Sequence, residues 1–453
     1  MSSSRLIDRV RVAQTRGQPG PAGLTRGPAD SAEFDRLKKD LHNELLAQLD
    51  FEQVGKVPRE ELAARLRGAL TDRVESRALP LNRVERERLV EEILDEILGL
   101  GPLEPLLRDP EISDILINGP NTVYVEKKGR LLRVDVRFKD DHHLMQVIDR
   151  IVSAVGRRID ETNPMCDARL QDGSRFNAII PPLALDGPVV SIRRFGVVPI
   201  MPDDLVAFGS VPRPIMEVLR GAVKSKLNMV ISGGTGSGKT TLLNVMSSFI
   251  PDGERIVTIE DAAELQLQQS HIVRLETRPN NLEGRGEITA RDLVKNSLRM
   301  RPDRIILGEI RGGEAIDMLQ AMNTGHEGSL ATVHSNSTRD AVARFETMIG
   351  MGMPNLSDKN IREMIARALD VIIQVDRLSD GSRRLLAVTE IVGMEGSVVT
   401  TQDIFVFEQR TVDDDGRVRG TFRATGVRPK FAGRLQRNGI ELHPDLFRFK
   451  MDV

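Results

Sequence analysis

The chain has 453 residues, 40% hydrophobic and 29% charged. A single core rarely outgrows about 300 residues, so two or more folded domains are expected and wholesale disorder is excluded. The 64 basic and 66 acidic side chains leave a net charge of -2, which excludes a nucleic-acid-coating polycation, and 3% aromatics without Trp leave few rings to stack on single-stranded bases.

The lone cysteine, Cys166, excludes an intrachain disulfide framework and fits a reducing compartment. No apolar run approaches the roughly 18 residues that span a bilayer, and the first 20 residues lack the apolar stretch of a secretory signal. The expected location is therefore cytoplasmic, with any membrane role exerted through a partner.

Residues 1–33 are rich in Ser, Gly, Pro and Arg and read as a flexible tail. From 34 to 107 the apolar residues fall at helical spacing. Phe34, Leu37, Leu41 and Leu45 form one stripe; Leu62, Leu66 and Leu70 follow Pro58 and an acidic first turn; Leu89, Ile93 and Ile97 precede Gly99. Three such helices predict a small bundle. Residues 108–196 read as mixed α/β: a strand in ISDILING, a hairpin turning at Gly129, a helix over 142–156, and strands in RFNAIIPP and PVVSIRRF. A Pro-containing connector, 197–213, marks a domain boundary.

From 214 to 453, apolar strand candidates (LNMVISGG, IVTIED, IVRLET, RIILGEI) alternate with helical stretches at 289–300 and 313–323, which predicts a doubly wound α/β domain. A helix at 360–370, the strands VIIQVDRL and RLLAVTEIVGMEG, and a polar tail region close the chain.

The strongest motif is Gly233-Gly234-Thr235-Gly236-Ser237-Gly238-Lys239-Thr240, which matches G-x-x-x-x-G-K-[ST] in full between a strand and a helix. Glycines let successive backbone N–H groups wrap an anion, and the helix start adds its positive dipole end. Lys239 supplies charge to the β- and γ-phosphates, and Thr240 a hydroxyl to Mg²⁺. With Thr241, these residues are the expected ATP-binding set. Glu309, at the C-terminal end of RIILGEI, is the candidate for holding Mg²⁺ through water or orienting the attacking water. Glu260, Asp261 and Glu264 follow another strand; one of the three is a candidate to accept a proton from water, and the cluster reads equally as the acidic cap of a helix N-terminus. His326 and His334 flank a short strand. Two histidines without a third ligand make a weak metal site, so a γ-phosphate sensor on a strand beside the P-loop strand is preferred.

In this order, the P-loop, TIEDAAELQL, RPDRIILGEIRGGEA and TGHEGSLATVHSNS resemble the secretion ATPases of type II and type IV machines, where they are called Walker A, Asp box, Walker B and His box. The chain resembles most the CpaF-like branch that powers Tad (Flp) pilus assembly, over roughly residues 85–450, through RLETRPNNLEGRGEITARDLVKNSLRM and RPKFAGRLQRNGIELHPDLF. The resemblance implies a RecA-like P-loop ATPase core over 214–453 with a C-terminal extension, a PAS-like α/β domain over 108–196, and the preceding helical bundle. It implies a homohexamer that hydrolyses MgATP and acts on inner-membrane pilus platform proteins at the cytoplasmic face of that membrane. By position, it gives Glu264 the general-base role, Glu309 the Walker B role, and His326 and His334 the His-box roles.

An arginine can stabilise the charge of a transferring phosphoryl group. The resemblance puts such arginines in the N-terminal α/β domain, so Arg193 and Arg194 rank first, Arg175 second, and Arg278 and Arg285 third. Phe195, Leu205 and Phe208 flank the connector as weak candidates for an adenine face. Two other classes compete with the motor: a nucleic-acid translocase, disfavoured by the scarce aromatics, and a non-hydrolysing nucleotide-dependent scaffold, disfavoured by intact Lys239, Glu264 and Glu309.

Overall fold

The computed structural model describes residues 28–48, 59–77, 79, 81–127, 129–170, 172–194, 199–278, 280 and 285–453. Of the expected features, tail residues 1–27, Pro58, Phe195 and the connector's first residues lie outside these. Two compact units divide the chain: residues 1–108 with 136–151, and residues 109–135 with 152–453. The units thus interleave in sequence. The strand hairpin belongs with the nucleotide-motif region, where a separate 108–196 domain was expected.

In the first unit, helices α1 (Pro28–Gln48), α2 (Arg59–Ser76) and α3 (Arg83–Leu98) share one core. Residues 28–33, expected in the tail, open α1. The stripes bury as their spacing requires: Phe34, Leu41 and Leu45 from α1, Leu66, Leu70 and Val74 from α2, and Leu89, Val90, Ile93 and Leu94 from α3. Asn82 starts α3 with a reciprocal cap, its Oδ1 accepting the Glu85 N–H at 2.9 Å while Glu85 Oε2 accepts the Asn82 N–H at 2.8 Å. A short α4 (Glu104–Arg108) follows, and most of α5 (Asp141–Ala154) also belongs to this unit.

The second unit holds two sheets. The first is antiparallel, in the order β3-β2-β1-β6-β5-β4: β1 Ile112–Asn118, β2 Val123–Lys127, β3 Arg130–Val134, β4 Met165–Arg169, β5 Arg175–Ile179 and β6 Val189–Arg193. Helices α6 (Pro202–Ala207) and α7 (Arg213–Lys224) lead out of it, so the expected connector contains a short helix and runs into the start of another.

The second sheet has the order β16-β15-β14-β13-β12-β7-β11-β10-β8-β9. Its parallel half comprises β7 (Met229–Ser232), β8 (Ile256–Glu260), β9 (Ile272–Glu276), β10 (Arg304–Ile310), β11 (Leu330–Val333) and β12 (Val371–Arg377). Helices α8 (Lys239–Ser247), α9 (Ala290–Ser297), α10 (Glu314–Asn323), α11 (Thr338–Gly352) and α12 (Asp358–Ala368) connect these strands. Every residue of β7 is buried: Met229 and Ile231 enter one core cluster and Val230 the other, the two-sided burial of a central parallel strand. Asn228 anchors its start. Its Nδ2 donates to the Met322 and Ala368 carbonyls, and its Oδ1 accepts the Gly328 and Ser329 N–H groups.

The region read as a polar tail is instead antiparallel sheet. After the expected strand β13 (Arg383–Glu395), it comprises β14 (Val398–Val412) and β15 (Val418–Ala424), then α13 (Ala432–Arg437) and β16 (Lys450–Asp452). Many of its polar residues are exposed, while Ile404, Phe405 and Phe422 are buried together with the polar Thr421.

Candidate functional site

The P-loop joins β7 to α8, at the C-terminal edge of the parallel strands, where ligands bind in such sheets. Gly238 stands at φ 92°, a left-handed conformation that a Cβ would strain, and α8 begins at the next residue. Ser237 Oγ donates to the Gly234 carbonyl at 2.8 Å. Lys239 Nζ donates to the carbonyls of Gly233 (2.9 Å) and Gly234 (2.8 Å), so the ammonium folds into the loop. Burial pulls its pKa down, Glu309 counters this, and Arg311 adds to it.

A cleft of about 1330 Å³ opens over this loop. Residues 235–241 line it, together with Asp114, Arg175, Arg193, Glu260, Asp261, Glu264, Glu309, Arg311, Thr332 and His334. The edge of the first sheet closes one side. Arg193 pairs in register with Asp114 on β1 and with Arg175 on β5, so these three form a cross-strand row. Arg193 Nε donates to Asp114 Oδ1 at 3.2 Å, and Arg175 donates to Glu264 Oε1 at 3.3 Å. Arg311 bridges two more acids, donating to Glu309 Oε2 (2.9 and 2.6 Å) and to Asp261 Oδ2 (2.8 Å).

Glu260 behaves differently from its neighbours. It is 4% exposed, and its Oε1 accepts the backbone N–H groups of Glu264 (2.9 Å) and Leu265 (3.0 Å), while Oε2 has no hydrogen-bond partner. Burial pushes its pKa up to about 7, against the two N–H bonds that favour the charged form. Glu260 therefore shapes the turn that carries Glu264.

Four residues expected at the phosphates do not line the cleft. Arg194 does not line the cleft. It neighbours Arg193 on an extended chain, where successive side chains point to opposite faces, and its guanidinium donates to the Asp109 and Ile112 carbonyls. Arg175, ranked below it, takes its place in the cleft. His326 is also remote. It precedes β11, at the end of the sheet opposite the P-loop, and its ring Nδ1 contacts the Pro302 carbonyl at 3.2 Å. The glycine-rich turn around it serves packing, since a Cβ on Gly328, at φ 81°, would lie 2.8 Å from buried Arg304 Nη1. His334 follows β11, which pairs directly with β7, and does reach the cleft. Arg278 and Arg285 do not line it either; Arg278 Nε donates to the Gly286 carbonyl at 2.7 Å. Leu205 and Phe208 line it.

Sequence reasoning missed Glu126, Arg377, Arg383 and Arg384, which also line the cleft. The only signal for the three arginines was a charged turn, RLSDGSRR, beside the P-loop strand's neighbour β12, and Glu126 on β2 had none. In all, eight basic side chains and six carboxyls line the cleft, a balance that suits a polyanion. No group of three His, Cys, Asp or Glu side chains among the described residues is arranged to hold a metal ion alone. Thr240 and Glu309 are cleft residues whose oxygens could hold Mg²⁺ beside phosphate oxygens and water. No helix among the described residues is long and apolar enough to cross a membrane.

Residues 96–426 match the family model described as type II/IV secretion system protein. A putative conjugal transfer protein of Mycobacterium tuberculosis is 38% identical over 309 residues, which cover 67% of this chain and 87% of the relative. Conjugal transfer protein TrbB of Rhizobium radiobacter is 34% identical over 314 residues, covering 68% and 91%. Among solved structures, the VirB11 ATPase of the Brucella suis type IV secretion system, in complex with sulphate, is 29% identical, covering 64% of this chain and 95% of that one, with a TM-score of 0.35.

Proposed function

The chain belongs to the type II/IV secretion system protein family, and on that premise we propose that it is a motor ATPase, converting ATP and water to ADP and phosphate at the P-loop cleft. The observation that carries the reading is Lys239 and Thr240 at the head of α8 in a cleft that also holds Glu264, Glu309, Arg175 and Arg193. Lys239 holds the β- and γ-phosphates. Thr240 and Glu309 hold Mg²⁺, which when bound neutralises phosphate charge. Glu264 accepts the proton of the attacking water, its carboxylate aimed by Arg175 and by the Glu260 turn. Arg175 and Arg193 stabilise the charge that develops on the transferred group. Both arginines line the cleft of their own chain, which favours action in cis.

We further propose that the chain works as a homohexamer that drives assembly of a Tad/Flp pilus through inner-membrane platform proteins, from the cytoplasmic side. The CpaF-like motif order and its long match support this. A second reading, an ATPase of a conjugation-type machine, is favoured by the relatives named for conjugal transfer. Capture of Glu309→Gln protein from the native cell separates the two. Recovery of pilus platform proteins, with turnover indifferent to DNA, supports the pilus reading. Recovery of a conjugation channel, or DNA-stimulated turnover, contradicts it.

A further inference from the structure

Two guanidinium groups reach the P-loop from the strand on its other side. Arg377 ends β12, which pairs in parallel with β7, and Arg383 starts β13, so the turn between them hangs over the loop. Arg383 Nε donates to the Gly236 carbonyl at 2.9 Å, and its Cδ would lie 3.3 Å from a Cβ on Gly238. Arg377 Nη1 lies 3.7 Å from where a Gly236 Cβ would stand. A single carboxylate restrains both cations: Glu126 on β2 reaches Arg383 at 3.4 Å and Arg377 at 3.9 Å. Arg377 also donates to the Gly129 carbonyl in the β2–β3 turn. The nearby Asp376 carboxylate accepts the Arg377 backbone N–H at 2.8 Å.

This arrangement carries more positive charge than its restraint neutralises. Two guanidinium groups share one carboxylate at long range, and one of them spends its best hydrogen bond on a neutral carbonyl of the phosphate loop. Phosphate oxygens are stronger acceptors for a guanidinium than a carbonyl is, and bind it in bidentate fashion. Resting on the reading that the P-loop takes a nucleotide, we propose that Arg377 and Arg383 are phosphate-binding residues, and that Glu126 competes with nucleotide phosphate for them. The β2–β3 hairpin is then tied to the P-loop when phosphate is absent and released when phosphate takes the arginines. By linkage, whatever pulls the hairpin away from the arginines strengthens nucleotide binding by the same factor.

Competition predicts opposite signs for the two ends of one ion pair, whereas a merely structural pair moves in one direction. The probe is the fluorescent nucleotide mant-ADP with Mg²⁺, titrated into full-length wild type, Arg377→Ala, Arg383→Ala, Glu126→Gln and Lys239→Ala, with thermal melting of each. Arg383→Ala and Arg377→Ala are expected to weaken binding about tenfold or more. Glu126→Gln, which keeps the side chain's shape, is expected to tighten it by about threefold or more, since the arginines lose their competing charge. Weaker or unchanged binding in Glu126→Gln overturns the proposal, as does unchanged binding in both arginine variants. If an arginine variant melts far below wild type, the sign in Glu126→Gln decides. Absence of mant-ADP binding in wild type, or binding indifferent to Lys239→Ala, overturns the nucleotide reading itself and is distinguishable from those results.

Discussion

Replacing Glu260 with Gln tests the buried carboxyl under the acidic turn. The folded protein keeps the Glu260 proton up to about pH 7, whereas the unfolded chain releases it near 4.5. The group's contribution to stability is therefore full below pH 4.5 and is lost as pH rises through about 7. At ~1.36 kcal/mol per pKa unit, the interval sets a ceiling of about 3 kcal/mol on that loss. Gln cannot ionise, yet its carbonyl still accepts the Glu264 and Leu265 N–H groups. The variant should match wild type near pH 4 and exceed it at pH 8.5 by up to about 3 kcal/mol. Amide hydrogen exchange on peptides spanning Ile256–Glu260 and Arg304–Ile310, with the variant compared to wild type at each pH, reads the difference locally. A difference that is equal at both values, or that favours wild type at pH 8.5, refutes the reasoning.

Arg193→Ala should lower turnover at least about tenfold with little effect on stability, whereas Arg194→Ala should keep its turnover per folded molecule and lose about 1–3 kcal/mol of stability, because two carbonyls lose their donor; parallel phosphate-release and melting assays separate them. Glu264→Gln and Glu309→Gln should each retain nucleotide while hydrolysing it about 100-fold more slowly or worse, as read by single-turnover assays. Asn228→Ala should cost at least about 3 kcal/mol, since buried backbone groups on three segments lose their partner at once; denaturant unfolding measures it.

Motifs whose geometry is local were legible in the sequence. The P-loop needs only a strand, glycines and a helix start, and all three are contiguous between Met229 and Ser247. The helix stripes of α2 and α3 were legible because a 3.6-residue period is written in neighbouring residues. Placements that depend on strand ends or on pairing partners were not. His326 and His334 look equivalent in the sequence, yet a four-residue strand puts them at opposite edges of the sheet. Arg193 and Arg194 differ only by the two-residue alternation of an extended chain. Arg377 and Arg383 reach the P-loop solely because β12 pairs with β7 across some 140 residues of chain, which no local pattern announces. The strands after Val398 carry many exposed polar residues, so their composition imitates a tail.

The most direct test of the account is steady-state phosphate release from MgATP by purified full-length protein, set beside Lys239→Ala. Lys239 lines the open cleft and donates to the Gly233 and Gly234 carbonyls, which cleft water can solvate once the ammonium is removed. The account predicts clear turnover in wild type, its near-complete loss in Lys239→Ala, and unchanged melting behaviour between the two. Turnover that survives the substitution in a folded protein would contradict hydrolysis at this cleft.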